Sequence, residues 1–385
     1  MWRPTNFTVI FLWLIQINVM AENIQYCAND TDIIDHILFE TSMHYNRHKL
    51  PANPVVVKIE LWVQEVTSVS EMTQSFEIDL YVNEFWEDPM LSYDYMRPCR
   101  GNLSFDYKMQ STIWIPNTCF INSVSAKIHD SPFRNVFLMV FSNGTLWSCL
   151  RIKSTGPCQL DLRTFPMDSV TCFLTFEAYQ YNRNEVHMIW NDPPVLLFKD
   201  IELPDFDMVN YSTTAYPRLY AAGCWDELSV NFTFKRRYGW YILQGYIPQY
   251  TTVFISWIPF YLGPKAIPAR TMIGVNAVLA LSFQFGNIGR NIPRVNYIKA
   301  IDLFILTGMG FVFASLVELA CVGFIMRNEG RMTMKIRDLH KKKRKKTNPL
   351  MKAEKVDLYS RICFPTAYAI FNLMYWGYYI IGRRL

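Results

Sequence analysis

The chain has 385 residues, 51% of them hydrophobic and 16% aromatic, and the apolar residues gather in the last third rather than spreading evenly. Its net charge is only +5, but Arg327 to Ser360 holds twelve Lys/Arg against four Asp/Glu. This asymmetry argues against one water-soluble core and predicts two domains in two solvents.

Arg3 followed by the apolar run Phe11 to Val19 and by Val19-Met20-Ala21 reads as a secretory signal peptide over residues 1–21, the run being too short to span a bilayer comfortably. The following region, residues 22–238, is therefore exported. It carries Asn-X-Ser/Thr sequons at Asn29, Asn102, Asn143, Asn210 and Asn231, predicted glycosylation sites of a lumenal segment. Seven of the nine cysteines also precede residue 240. Cys158 and Cys172 enclose thirteen residues, QLDLRTFPMDSVT, with Phe165-Pro166-Met167-Asp168 at the turn, and are read as a disulfide staple. The remaining Cys27, Cys99, Cys119, Cys149 and Cys224 are odd in number, which leaves at least one free or joined to another chain.

Alternation in Val55–Val63 and Phe76–Val82 predicts half-buried strands. Further β-type runs follow at Val136–Phe141, Leu146–Ile152 and Leu228–Phe234, with Asn143-Gly144 as a hairpin turn. An extracellular all-β sandwich, immunoglobulin-like and of about ten strands, is the expected layout. Four apolar segments come next: Tyr241–Leu262, Thr271–Ile288, Ala300–Met326 and Ile362–Ile381, a four-helix transmembrane domain. They divide the rest of the chain into helices one to three (239–326), a basic loop (327–360) and a fourth helix with the C-terminus (361–385). Positive charge beside spans is retained in the cytoplasm, so the loop is inside and both termini are outside. Acidic lipid or nucleic acid is the alternative partner of such a run. Membrane lipid is retained as a partner and nucleic acid is not.

In the second apolar segment Met272, Asn276, Leu279, Phe283 and Gly286 recur at steps of four, three, four and three, one stripe of a helix. Several such stripes around an axis would line a pore that Leu279 closes by expelling water. Arg270 and Lys265 stand at one end and Arg290 at the other, with no Asp or Glu from Gly263 through Ile301, a charge pattern that favours anions. No His-Glu-X-X-His, Gly-X-Ser-X-Gly or zinc-type Cys/His spacing occurs, so neither an enzyme nor a metal site is expected, and no cofactor. Gly308 and Gly310 are read as close helix packing.

Taken together, Cys158 to Cys172, Trp114-Ile115-Pro116-Asn117, Lys235-Arg236-Arg237-Tyr238-Gly239 and Ile267-Pro268-Ala269-Arg270 resemble, in that order, a subunit of the Cys-loop, or pentameric ligand-gated ion channel, family. Pro268-Ala269-Arg270 is similar to the glycine, GABA and invertebrate, nematode-like, chloride-channel branch. The resemblance implies a neurotransmitter-gated chloride channel subunit, in a homo- or hetero-pentamer at the synaptic plasma membrane. Pore and selectivity would lie in Pro268, Ala269, Arg270, Asn276, Leu279 and Phe283. Coupling would run through Glu71, Phe165, Pro166, Asp168, Arg236 and Pro293, with Asp168 and Glu71 pairing with Arg236. The small-molecule transmitter would bind between subunits at Tyr81, Glu177, Tyr179, Tyr181 and Trp225. Rings plus a carboxylate suit a cationic amine. Departures are Cys119 at an aromatic's position, Asn117 for an aspartate, and Asn83 where amino-acid-gated members carry an arginine for the ligand carboxylate. The last favours a biogenic amine or choline-like ligand, with an amino-acid-gated channel or a non-conducting accessory subunit as the alternative.

Overall fold

The computed structural model describes residues 27–337 and 349–381. The signal segment and the run Lys341–Lys346 lie outside the described residues. A short helix at Asp30–Asp35 precedes eleven strands: β1 (Val55–Ser70), β2 (Ser75–Glu87), β3 (Asn102–Phe105), β4 (Thr118–Phe120), β5 (Ser125–Ile128), β6 (Val136–Phe141), β7 (Thr145–Gln159), β8 (Ser169–Ala178), β9 (Val186–Leu197), β10 (Phe206–Tyr220) and β11 (Gly223–Arg236). β1 shows why the alternation is decisive: Val55, Val57, Ile59, Leu61 and Val63 are all buried on one face of the pleat. Antiparallel β2 places Tyr81 opposite Trp62, whereas β9 adds in parallel from Val55↔Val186. The pairing of Cys158 with Cys172 across β7 and β8 joins the two halves of the sheet, and their sulfurs are bonded. The β6–β7 turn falls at Asn143-Gly144. Gly144 has φ +87°, and a Cβ there would meet the Asp88 carbonyl at 2.6 Å, so glycine is required.

Cys27 and Cys99 form a second disulfide, leaving Cys119, Cys149 and Cys224 as the free thiols of the β domain. Of the sequon asparagines, Asn29, Asn102, Asn143 and Asn210 are exposed and Asn231 is half-buried.

After β11 the chain turns helical. A π turn (Ile242–Tyr246) leads into α1 (Ile247–Ile255) and a 3-10 turn (Ile258–Tyr261), followed by α2 (Ile267–Arg290), α3 (Ala300–Arg337) and α4 (Pro349–Trp376). The first apolar segment is thus not one straight helix. Pro248 and Pro259 supply no amide to a preceding turn and occur where segments begin. α3 and α4 both run into the stretch assigned above to a loop at 327–360. Hydropathy marks only the hydrocarbon-spanning part, and charged residues carry the same backbone pattern onward. α2 and Ala300–Arg327 are each long and apolar enough to cross a membrane. Gly308 packs so closely on Gln249 that a Cβ would meet its Nε2 at 2.3 Å, whereas Gly310 faces open space.

Candidate functional site

The β10–β11 hairpin sets Tyr216 opposite Glu227, Arg218 opposite Trp225 and Tyr220 opposite Gly223. Residues two apart share a face of a strand. On that face the Arg218 guanidinium donates to both Glu227 oxygens, Nε–Oε1 2.8 Å and Nη2–Oε2 3.2 Å, and lies 5.3 Å from the Tyr216 ring centre. The Tyr220 hydroxyl stands 2.9 Å from Glu227 Oε1 and 3.3 Å from Glu177 Oε2. One hydroxyl proton serves one acceptor at a time, so Glu177, 8% exposed, is the less satisfied carboxylate. Burial raises its pKa, and the nearby Glu227 charge adds to this, although the Tyr220 hydroxyl and Arg218 pull the other way. For Glu227 the donors from Arg218, Tyr216 and Tyr220 overcome burial, and its pKa is lowered.

Trp225 packs edge-on to Tyr220 at 5.7 Å, and its indole N–H is buried without a hydrogen-bond partner among the described residues. Tyr179 is 73% exposed; its amide donates to the Asn117 carbonyl at 3.2 Å. Asn117 has φ +51°, a backbone conformation that asparagine tolerates better than most residues, and donates from Nδ2 to Gln180. Cys119 is in register with Glu177; burial and that carboxylate raise its thiol's pKa. The Tyr181 hydroxyl accepts the Trp114 indole N–H at 3.0 Å and its half-buried ring packs on the core, which ties this position to the frame.

Tyr81 lies on the other sheet half, flanked in register by Trp62 on β1 and Arg151 on β7. Phe198 meets Tyr81 at 6.4 Å and Trp62 at 5.8 Å, both edge-on. The Arg151 guanidinium is 5.8 Å from the Tyr81 ring centre and bonded bidentately to Asp79 at 3.2 and 2.7 Å. Asn83 is fully buried; its Oδ1 accepts the Trp147 indole N–H at 2.9 Å, and its Nδ2 is buried without a hydrogen-bond partner among the described residues. Trp62, Arg151, Tyr220 and Glu227 were not singled out in the sequence. The alternation of their strands was readable, but register between strands was not.

Below the β domain, Asp168 and Arg236 are both buried and bonded twice, Nε–Oδ1 2.7 Å and Nη2–Oδ2 3.1 Å, while Glu71 takes the remaining arm, Nη1. Burial opposes the Arg236 charge, but the two carboxylates outweigh it and raise its pKa. Its guanidinium lies 4.8 Å from Phe165 and 4.6 Å from Phe206. Phe165 and Pro166 are buried. The Phe165 carbonyl accepts the Ile301 amide at 3.2 Å, and the Leu162 amide donates to the Tyr297 hydroxyl at 3.0 Å. Phe165 and Leu162 share one apolar cluster with Ile292, Ile301 and Phe304, next to buried Pro293. The disulfide loop therefore rests on the α2–α3 connection and the start of α3.

On α2 the predicted stripe is the exposed face: Met272, Asn276, Leu279, Phe283 (73%) and Gly286 are all exposed, as are Pro268 and Ala269. The opposite face buries Gly274, Ala277 and Leu281, with Gly274 so close to α3 that a Cβ would meet Leu316 at 2.4 Å. Arg270 corrects the sequence reading. It is fully buried, bonded to Asp357 on α4 at 2.8 and 3.3 Å and to Glu318 on α3 at 3.3 Å. The stripe steps back from Met272 by three to Ala269, and Arg270 lies about 100° round the helix from it. A guanidinium inside the bundle needs carboxylate partners, and α3 and α4 provide them.

Residues 30–238 match the model of the neurotransmitter-gated ion-channel ligand binding domain, and residues 245–352 that of the neurotransmitter-gated ion-channel transmembrane region. An acetylcholine-gated chloride channel subunit of Caenorhabditis elegans is 49% identical over 94% of this chain and 92% of its own length. A serotonin-gated chloride channel of the same organism is 48% identical over 71% of this chain and 56% of its own length. The human gamma-aminobutyric acid receptor subunit rho-1 is 30% identical, covering 85% and 80%. With its sandwich and the helices α1 to α3 matched and a Cys158–Cys172 loop seated on the α2–α3 connection, the chain belongs to the Cys-loop family of neurotransmitter-gated ion channels.

Proposed function

We propose that this chain is a subunit of a pentameric chloride channel gated by a monocationic transmitter, an amine or choline-like ligand bound between the hairpin face of one subunit and the Tyr81 face of the next. The observation that carries the ligand class is the charge state of that face. Glu177 keeps an incompletely satisfied carboxylate beside Tyr220 and Trp225, while Arg218 and Arg151 are each held by a carboxylate of their own. A cation entering there gains ring faces, about 0.5–2 kcal/mol each, plus an anion. The relatives gated by acetylcholine and serotonin, both cationic, agree with that reading.

Binding would move the hairpin and, through Asp168–Arg236 and Phe165, the α2–α3 connection. Tilting five α2 helices would widen the ring of Leu279 and admit water. With Arg270 inside the subunit, attraction for chloride at the inner mouth falls to exposed Lys265 and to the N-terminal ends of the α2 helices, each roughly +0.5 charge, at Pro268 and Ala269.

The test is current from cells expressing this chain alone, perfused with quaternary ammonium ions, aromatic monoamines and amino acids. The reading expects cation-evoked current whose reversal follows the chloride gradient. Reversal that follows sodium instead would overturn the anion pore. An amino-acid response without a cation response would favour the second reading, in which Arg151 leaves Asp79 to hold a ligand carboxylate. Silence despite surface expression would favour the accessory subunit.

A further inference from the structure

We propose that Glu227 sets the charge preference of the binding face by disarming Arg218, so that the site accepts a monocation and turns away zwitterionic amino acids. This rests on the reading above that Glu177 anchors the ligand's positive end. An amino acid needs two complementary charges, an anion for its ammonium and a guanidinium for its carboxylate. The face has both, since Arg218 is on the same hairpin, with its side chain 52% exposed, and is linked to Glu177 through a single Tyr220 hydroxyl and the Glu227 carboxylate. Yet both its Nε and Nη2 donate to Glu227, whose own side chain is 2% exposed and held further by Tyr220. Bidentate pairing occupies the Nε/Nη2 edge of the guanidinium and offsets its charge, which weakens its pull on a ligand carboxylate. Nη2 also donates to the Tyr216 hydroxyl at 3.3 Å, and the Tyr216 ring lies beside the group, which adds to the hold on that pose. Here a carboxylate of the protein fills the place that the carboxylate of an amino-acid ligand would take.

The pair has a plain alternative, a cross-strand clamp that only stiffens the hairpin, and the two are separable. Glu227→Gln keeps the size of the side chain and the Tyr220 contact but removes the charge that holds Arg218. Choline and 4-aminobutanoate are the probes, applied to the full chain expressed in oocytes. Binding of radiolabelled 4-aminobutanoate to the same membranes supplies a readout independent of gating. In Glu227→Gln the potency of 4-aminobutanoate relative to choline should rise by about tenfold or more, the range of a charge-assisted contact. The gain should vanish in the Arg218→Gln/Glu227→Gln double variant, because it needs the freed guanidinium. Equal loss of potency for both probes would overturn the proposal and leave a clamp, as would a gain that persists without Arg218. If Glu227→Gln fails to reach the surface, Glu227→Asp, whose shorter side chain cannot keep both contacts, should give a smaller shift of the same sign, and no shift would refute it. A wild-type chain that ignores choline would defeat the transmitter reading, while the binding gain in Glu227→Gln would still decide the role of Glu227.

Discussion

Replacing Asp168 by Asn probes the junction between the β domain and the helices. The substitution keeps the shape of the side chain but leaves the Arg236 guanidinium with Glu71 as its one remaining anion. Arg236 and Asp168 each have side chains only 1% exposed, the setting in which loss of one partner is most damaging, about 3–5 kcal/mol. Because Glu71 still offsets part of the charge, the lower end applies, ~3 kcal/mol, or on the order of 100-fold in an equilibrium constant. Glu71, with its side chain 21% exposed, is better served by water, and Glu71→Gln should cost about 1 kcal/mol or less. The assay is thermal inactivation of solubilised protein together with agonist concentration–response curves for Asp168→Asn, Glu71→Gln, Arg236→Met and the Asp168→Asn/Arg236→Met pair. The double variant should be less impaired than the sum of the singles, since neither Asp168 nor Arg236 is then left as a buried charge without its partner and only the partly exposed Glu71 loses a contact. Equal effects at Asp168 and Glu71, or simple additivity in the double variant, would refute the reasoning.

Arg270→Gln should leave the chloride-to-sodium permeability ratio nearly unchanged, as measured by reversal potential, while lowering surface expression, because the side chain ties α2 to Glu318 and Asp357 rather than facing the pore stripe. A large selectivity change would put the guanidinium back in the permeation path. The raised pKa of Glu177 means that the anion awaiting a cationic agonist is lost as pH falls through that value, so agonist potency should drop in an acidic bath, and Glu177→Gln should be weaker throughout and insensitive to pH. Glu84 is buried, with its pKa pushed up to about 7 chiefly by desolvation, against donors from Thr118 and Ser148. For a carboxyl raised in this way the folded state holds the proton longer than the unfolded one. Its favourable contribution is complete below the unfolded value near 4.5 and is lost as pH rises through about 7. Glu84→Gln should therefore stabilise the β domain at pH 8, by up to about 3 kcal/mol, and do little at pH 5, which thermal melts at the two values will show.

Much of the architecture was written in local pattern. The alternation of β1 and β2, the Asn143-Gly144 turn, the Cys158–Cys172 loop and the four-three stripe of α2 each follow from the period of one backbone type, and periods are properties of neighbours in the chain. The pairing of Arg236 with Asp168 and Glu71 was also expected, but only through the family resemblance, since 68 residues separate Arg236 from Asp168. Helix ends were less legible, because α3 and α4 continue past the apolar stretch that announces them.

The sequence by itself determined which residues alternate, which cysteines lie close along the chain, and which residues of α2 share one stripe. Tertiary structure alone decided what each charge meets. Arg270 reads as a pore cation in the sequence, whereas α3 and α4 bring Glu318 and Asp357 against it; likewise β11 and β2 supply Glu227 to Arg218 and Asp79 to Arg151. The field of an ionised group depends on its partners within a few ångströms, and those partners arrive from elements that the chain order does not place side by side.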